Sequence, residues 1–468
     1  MKRQLLRLAP VPIVLAALLL LPTVAGAHSL IEGLTGTNFA FTVKEGYVTS
    51  GDGISLYFWG LSPDPAAGPQ YPAPTLILNQ GDTITVTLRN ALPVAAGRVS
   101  LVFPGMEVSA TGGVPGLLTR EAAQADDPGT AGVDESAVVY TFTASRPGTF
   151  LYNAGTRPEL QVEMGVLGAI VVRPIGFNPQ AGTAYGDARS AFDHEYLFVL
   201  SEMDPRIHQA LEFGIPAGLA SIEAGNWLSD YFSGYWFLNG RTAPDSMLAP
   251  HVPWMPTQPY GSMVRMRPGE SVLMRVVSGG RDLHPFHHHG NHARVIAKDA
   301  RLLESAPGQG VANVGPDLGY EVFTIQAIPG ETVDAIFSWT GKGMGWDLYG
   351  TGEKYEHTCN GISVNDPGAT QPGVTDPVTK EDCGDHGKLF PVVLPEPLDL
   401  TFGGFYSGSP YLGTLGSLPP GQGGLNPNAG FTFMWHSHTE KELTNFDIFP
   451  GGMMTMLFVE PFGMPIVE

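Results

Sequence analysis

The chain repeats itself, and the repeat constrains the fold more than any other feature. Gly148-Thr149-Phe150-Leu151-Tyr152-Asn153-Ala154-Gly155 and Phe431-Thr432-Phe433-Met434-Trp435-His436-Ser437-His438 are both alternating apolar segments with an aromatic residue just before a three-residue tip. The segments that follow also match: GVLGAIVVRP from Gly165 and GMMTMLFVEP from Gly452. Earlier in each copy, Val102-Phe103-Pro104-Gly105 lines up with His287-His288-His289-Gly290. Upstream of each stands a turn and a further alternating strand. In the first copy Gln80-Gly81-Asp82 precedes Thr83 to Arg89, with Ile84, Val86 and Leu88 on one face. In the second Pro268-Gly269-Glu270 precedes Ser271 to Val277, with Val272, Met274 and Val276 on one face. Period-two alternation bounded by glycine turns predicts half-buried strands of a sandwich. Two copies predict two sandwiches.

Composition agrees with an all-β chain. Charged residues are 15%, against about 25% in an ordinary soluble domain. With 60 Gly, 41 Pro and 24 Phe, the chain reads as strands joined by long loops, and long charged helices and coiled coils are excluded. A net charge of −20 without any run of Lys or Arg argues against a nucleic-acid partner and against docking on anionic lipid. Residues 1–27 have the layout of a secretory signal peptide: Lys2, Arg3 and Arg7, then an apolar run from Val11 to Leu21, then Ala25-Gly26-Ala27. That run is too short to span a bilayer, and no later run is longer, so the expectation is a secreted or periplasmic protein with no membrane span. The first sandwich is placed at 28–178, a linker with a short helix at 179–234 (Ile207, Leu211 and Phe213 are loosely periodic), and the second sandwich at 235–468. The second contains a Gly- and Pro-rich insertion at about 341–430, read as ordered loops rather than a third core. The insertion holds both cysteines, Cys359 and Cys383. In an exported chain they are most simply a disulfide, contributing about 3 kcal/mol, and a thiolate metal site is the alternative.

The histidines carry the chemistry. His284-Pro285-Phe286-His287-His288-His289-Gly290 places four in six positions, and His436-Ser437-His438 adds two. Residues i and i+2 of a strand share a face, so His287 and His289 converge, as do His436 and His438, while His288 points away. Two such pairs on adjacent strands form a four-imidazole cage suited to copper, with zinc or another divalent metal as the alternative. His292 lies close enough to support the cage. His194, His208, His251, His357 and His386 are isolated and read as surface residues. Glu440, Glu442 and Asp447 follow the second pair; they form a solvated loop on the plainer reading, with Glu442 or Asp447 as a proton acceptor on the other.

HPFHHHG resembles the His-Pro-x-His-x-His-Gly signature of multicopper oxidases, and WHSHTEKELTNFDIFPGGMM resembles their C-terminal His-Cys-His…His…Gly-Met signature. YPAPTLILNQGDTITVTLRNALP is similar to the opening strands of their first domain. The resemblance implies two cupredoxin-like Greek-key β-sandwiches. It implies that His284 binds a mononuclear blue copper with Met453 as weak axial ligand, and that His287, His289, His436 and His438 bind the trinuclear cluster. The chain departs from this pattern. Ser437 stands in place of the blue-copper cysteine, and Glu442 stands near the place of that copper's other histidine. Val102, Pro104, Asn153 and Gly155 stand where the first domain supplies cluster histidines. Half of the cluster ligands are therefore kept, enough for one ion, or two with water or a partner chain. Two functions follow: a copper oxidoreductase with a reduced site, acting on a small-molecule or metal-ion substrate, or a non-catalytic metal-binding, metal-delivery or structural protein. A zinc hydrolase is a third reading, and oligomeric state is left open.

Overall fold

The computed structural model describes residues 29–64, 66–124, 136–306, 315–349, 356–389, 409–411, 430–460 and 466. The expected signal peptide and much of the 341–430 insertion lie outside the described residues.

The first sandwich contains β1 (Asn38–Thr49), β2 (Ser55–Ser62), β3 (Ala73–Asn79), β4 (Thr83–Asn90), β5 (Leu101–Val102), β6 (Val108–Gly112), β7 (Ala137–Thr143), β8 (Gly148–Ala154) and β9 (Leu167–Arg173). One sheet runs β2-β1-β4-β7-β6 and the other β3-β9-β8-β5. The second sandwich contains β10 (His194–Met203), β11 (Tyr235–Leu238), β12 (Val264–Met266), β13 (Ser271–Ser278), β14 (His284–His288), β15 (Ala293–Lys298), β16 (Thr324–Ala327), β17 (Thr332–Ser338), β18 (Gly430–Ser437) and β19 (Met454–Val459). Its sheets run β11-β10-β13-β17-β15 and β12-β19-β18-β14-β16. Strand for strand this is the same Greek-key sandwich twice. The parallel pair β1–β4 corresponds to β10–β13, and β3–β9 corresponds to β12–β19. Even the register repeats: Val102 lies opposite Asn153, and His287 lies opposite His436.

The alternation predicts the cores correctly. Ile84, Val86 and Leu88 join the first core, and Val272, Met274 and Val276 the second. Where alternation fails, the linker reading fails with it. His194–Met203 is buried along its whole length and forms β10, inside the second sandwich. One face packs into that core and the other against the first sandwich, so both parities are covered. The helical part of the stretch is α1 (Pro205–Glu212) and α2 (Ile215–Gly225). Asp204 caps α1 by accepting from the Arg206 N–H, and Pro205 occupies the first turn. Ile207, Leu211, Ile215 and Ile222 extend the first core, whereas Phe213 lies past the end of α1 and is exposed.

The two sandwiches are joined by an apolar interface and a buried ion network. Leu151, Leu167 and Ala169 of the first pack against Leu197, Val199 and Val277 of the second. Glu195 lies 2.5 Å from Arg173 and 2.6 Å from Arg275, and Arg275 lies 3.0 Å from Asp334. The Thr149 hydroxyl donates to Asp334 at 2.6 Å. Although burial opposes ionisation, the two guanidinium groups hold the Glu195 carboxyl at about 2.

Candidate metal centre

Strands β14 and β18 pair antiparallel and bring the two histidine pairs together at one end of the second sandwich. Along β14, His284, Phe286 and His288 are buried while Pro285 and His287 are half-buried, so the two parities face opposite sides. The His287 and His289 ring centroids are 4.6 Å apart, His287 and His438 are 4.8 Å apart, and His289 and His436 are 5.3 Å apart. One ligand atom each of His287, His289 and His436 lies within 4.8 Å of the others. The expected fourth imidazole, His438, is 54% exposed and lies beside His287 at 4.8 Å between ring centroids, but outside that three-residue grouping.

The donor set fits a metal ion. His289 Nε2 and His436 Nε2 are 3.1 Å apart, near the roughly 3.3 Å edge of a tetrahedron with 2.0 Å bonds. The His436 Nδ1–H donates to the Ser437 carbonyl at 2.6 Å, which leaves Nε2 as the lone-pair nitrogen. His287 Nδ1 is 2.8 Å from the Thr324 hydroxyl, which orients that ring in the same way. Burial, then the neighbouring His289 and His438, lowers His287 to about 4. Burial, partly offset by the bond to Ser437 and reinforced by the other imidazoles, lowers His436 to about 3. Both rings are therefore neutral at pH 7, the form that binds metal.

Residues 66–176 match the family model described as multicopper oxidase. That segment is similar to a multicopper oxidase domain. Laccase 1 of Metarhizium robertsii is 31% identical over 191 residues, which cover 37% of this chain and 29% of that protein. The match thus spans less than a third of that relative's length. The multicopper oxidase mgLAC shares the fold, with a TM-score of 0.50 at 15% identity, covering 93% of this chain and 89% of that one. The blue copper oxidase of Nitrosomonas europaea aligns with a TM-score of 0.49 at 14% identity over 91% of this chain and 86% of that one.

His284, which the resemblance to multicopper oxidases makes a blue-copper ligand, lies in a buried ion network. Its Nδ1 lies 2.8 Å from Glu442 and its Nε2 lies 2.8 Å from Glu202, all three residues being buried. Both ring nitrogens are thus engaged by carboxylates. Burial disfavours the charged ring, but hydrogen bonds to the two carboxylates push His284 up to about 10. Glu442 is thus an ion-pair partner rather than part of a solvated loop, while Glu440 is exposed. Ser437 is buried, and its N–H donates to the Met453 carbonyl at 3.0 Å. The Met453 side chain lies in the apolar core of the second sandwich.

Other histidines depart from the surface reading. His288 points away from the cage as expected, between Phe337 and Trp435. His194 is buried with Nε2 2.8 Å from Glu270, and His208 is buried against the Tyr57 carbonyl and Glu163. His251 is exposed beside Glu32. His292 is exposed and packs on Phe323, with no place in the cage grouping. His386 is fully buried, and it and His357 meet Asp347 and Glu381 in a second cluster. Sequence spacing gave no signal for that cluster, because its members come from separate turns of the insertion.

Proposed function

We propose that the chain is an exported copper-binding protein whose second sandwich holds one copper ion, or at most two, through His287, His289, His436 and His438. The carrying observation is the register of His287 opposite His436, with neutral rings whose second nitrogens are already oriented by Thr324 and Ser437. Imidazole donors and the order of divalent affinities favour copper over zinc. A bound copper would supply a redox-active centre. The chain itself contributes orientation and a dry wall on one side, and an opening on the side of His438. It offers no thiolate beside the cage, since Ser437 stands there, and His284 is held between two carboxylates. These features support binding or delivery of copper over four-electron oxidase chemistry. Export rests on the N-terminal pattern, and among the described residues no helix is long and apolar enough to cross a membrane.

One observation favours a second reading, a single-copper oxidoreductase: the exposed His438 leaves the cage open to a small molecule or metal ion. Oxygen consumption by copper-loaded protein with a phenolic substrate separates the two. The binding reading expects no turnover above that of the same amount of free copper. Turnover that disappears in His287→Ala would establish the oxidoreductase instead.

A further inference from the structure

The insertion contains a second group of metal-type donors, lying in sequence between the two histidine pairs of the cage. His357 and Glu381 each lie two residues before a cysteine of the Cys359–Cys383 disulfide, and His386 lies three residues after Cys383. The disulfide, with its Cα atoms 5.8 Å apart, brings these two turns together. Asp347 arrives from the preceding segment and is fixed there by the Tyr349 and Gly387 N–H groups, at 2.9 and 2.7 Å. Ligand atoms of all four residues fall within 4.8 Å of one another.

The separations are long for ion pairs, although the His386–Glu381 contact at 3.2 Å still meets the limit of a hydrogen bond. His386 Nδ1 is 3.2 Å from Asp347 Oδ2 and 3.2 Å from Glu381 Oε1. His357 Nε2 is 3.3 Å from Asp347 Oδ1 and 3.7 Å from Glu381 Oε1. Direct charge-assisted hydrogen bonds are shorter, at about 2.7–2.9 Å. Ligands sharing a tetrahedral ion at 2.0–2.2 Å are separated by about 3.3–3.6 Å, and the four separations here fall on either side of that spacing, within about 0.1 Å of it. The His386 Nε2 lies 3.0 Å from the Ile362 carbonyl and donates to it, which turns Nδ1 toward the carboxylates, the backing that metal-bound histidines ordinarily have. Independently, Glu381 Oε2 is buried without a hydrogen-bond partner among the described residues. A buried carboxylate oxygen left so is costly unless a cation compensates it.

We infer that Asp347, His357, Glu381 and His386 form a structural site for a divalent cation of the zinc type, which with the disulfide holds the insertion in place of a core. Two imidazoles and two carboxylates suit zinc. The described part of the insertion has only short strands, Thr358–Cys359, Ile362–Ser363 and Ser409–Tyr411, so it depends on such staples.

The test uses full-length protein carrying His287→Ala and His436→Ala, stripped with a chelator and titrated with zinc alone. The expected result is one zinc per chain, weakened at least about 100-fold by Glu381→Gln or His386→Gln. The same zinc should raise the Tm of the parent and protect its insertion from protease. X-ray absorption at the zinc edge should show two imidazoles with oxygen and no sulfur, a readout that stands even if a substituted chain fails to fold. Absence of zinc uptake by folded parent, uptake unchanged by both substitutions, or a shell without imidazole overturns the proposal. None of these outcomes bears on copper at the cage.

Discussion

The two sandwiches present the same strand pair at the same register and use it for opposite ends. In the first, Val102 faces Asn153; in the second, His287 faces His436. The difference follows the surroundings of each sheet. Leu151, on the same face of β8 as Asn153, packs into the interface between the sandwiches, and Thr149 beside it bonds to Asp334. Met434, the equivalent of Leu151, packs against a small cluster of Ala243, Leu443 and Met454. One sheet face became an adhesive surface, and its counterpart was left free to gather imidazoles. Both copies keep an aromatic inward, Tyr152 in one and Trp435 in the other, because the core behind the strand is the same.

The largest effect expected from breaking this asymmetry is on copper. His287→Ala with His436→Ala should weaken copper by at least about 100-fold in equilibrium titration, whereas Val102→Ala with Asn153→Ala should leave copper affinity unchanged. Equal losses from both pairs would show that the sandwiches share one site.

Next comes the adhesive face. Glu195→Gln leaves Arg173 and Arg275 buried without their shared carboxylate and should cost about 3–5 kcal/mol, measured by denaturant unfolding. The wild-type contribution depends on pH in a defined direction. The native carboxyl titrates at about 2, below its unfolded value, so this stability is complete above the ordinary Glu range and is lost as pH falls through about 2. The buried His284 pairs behave oppositely. With a native value of about 10, their contribution is complete below the ordinary His value and declines as pH rises toward about 10.

A smaller effect tests whether the first sandwich could carry the cage. A Cβ on Gly155 would lie 2.7 Å from Val102 Cγ1 and 2.9 Å from Ser100 Oγ. Gly155→His should therefore cost about 1–3 kcal/mol through overpacking, seen as a lower Tm. A neutral result would show that the tip has room and that crowding does not explain the missing imidazole. The smallest effect belongs to His251→Ala. This side chain is 62% exposed and meets an exposed Glu32, so copper affinity should not change and stability should move by about 1 kcal/mol or less.

The repeat made the sandwiches legible, because strands buried on one face carry alternation in the sequence. It failed at β10, which is covered on both faces and so reads HEYLFVLSEM with no alternation. The cage was legible for the same reason of parity: His-x-His on neighbouring strands can only converge. The fate of His284 was not legible, since it is set by Glu202 and Glu442, which folding brings from 82 and 158 residues away. The second cluster is not legible in the sequence because His357 and His386 stand alone there and meet through the disulfide-linked turns.

The central claim is that the second sandwich kept the imidazoles of a copper centre and lost its thiolate. It is tested most directly by the visible spectrum of copper-saturated protein, taken with a count of bound copper per chain. The account predicts one copper, or at most two, and no intense blue absorption, in wild type and equally in Ser437→Cys, where Glu202 and Glu442 still occupy both nitrogens of His284. A strongly blue wild-type protein holding three or more tightly bound coppers would contradict it.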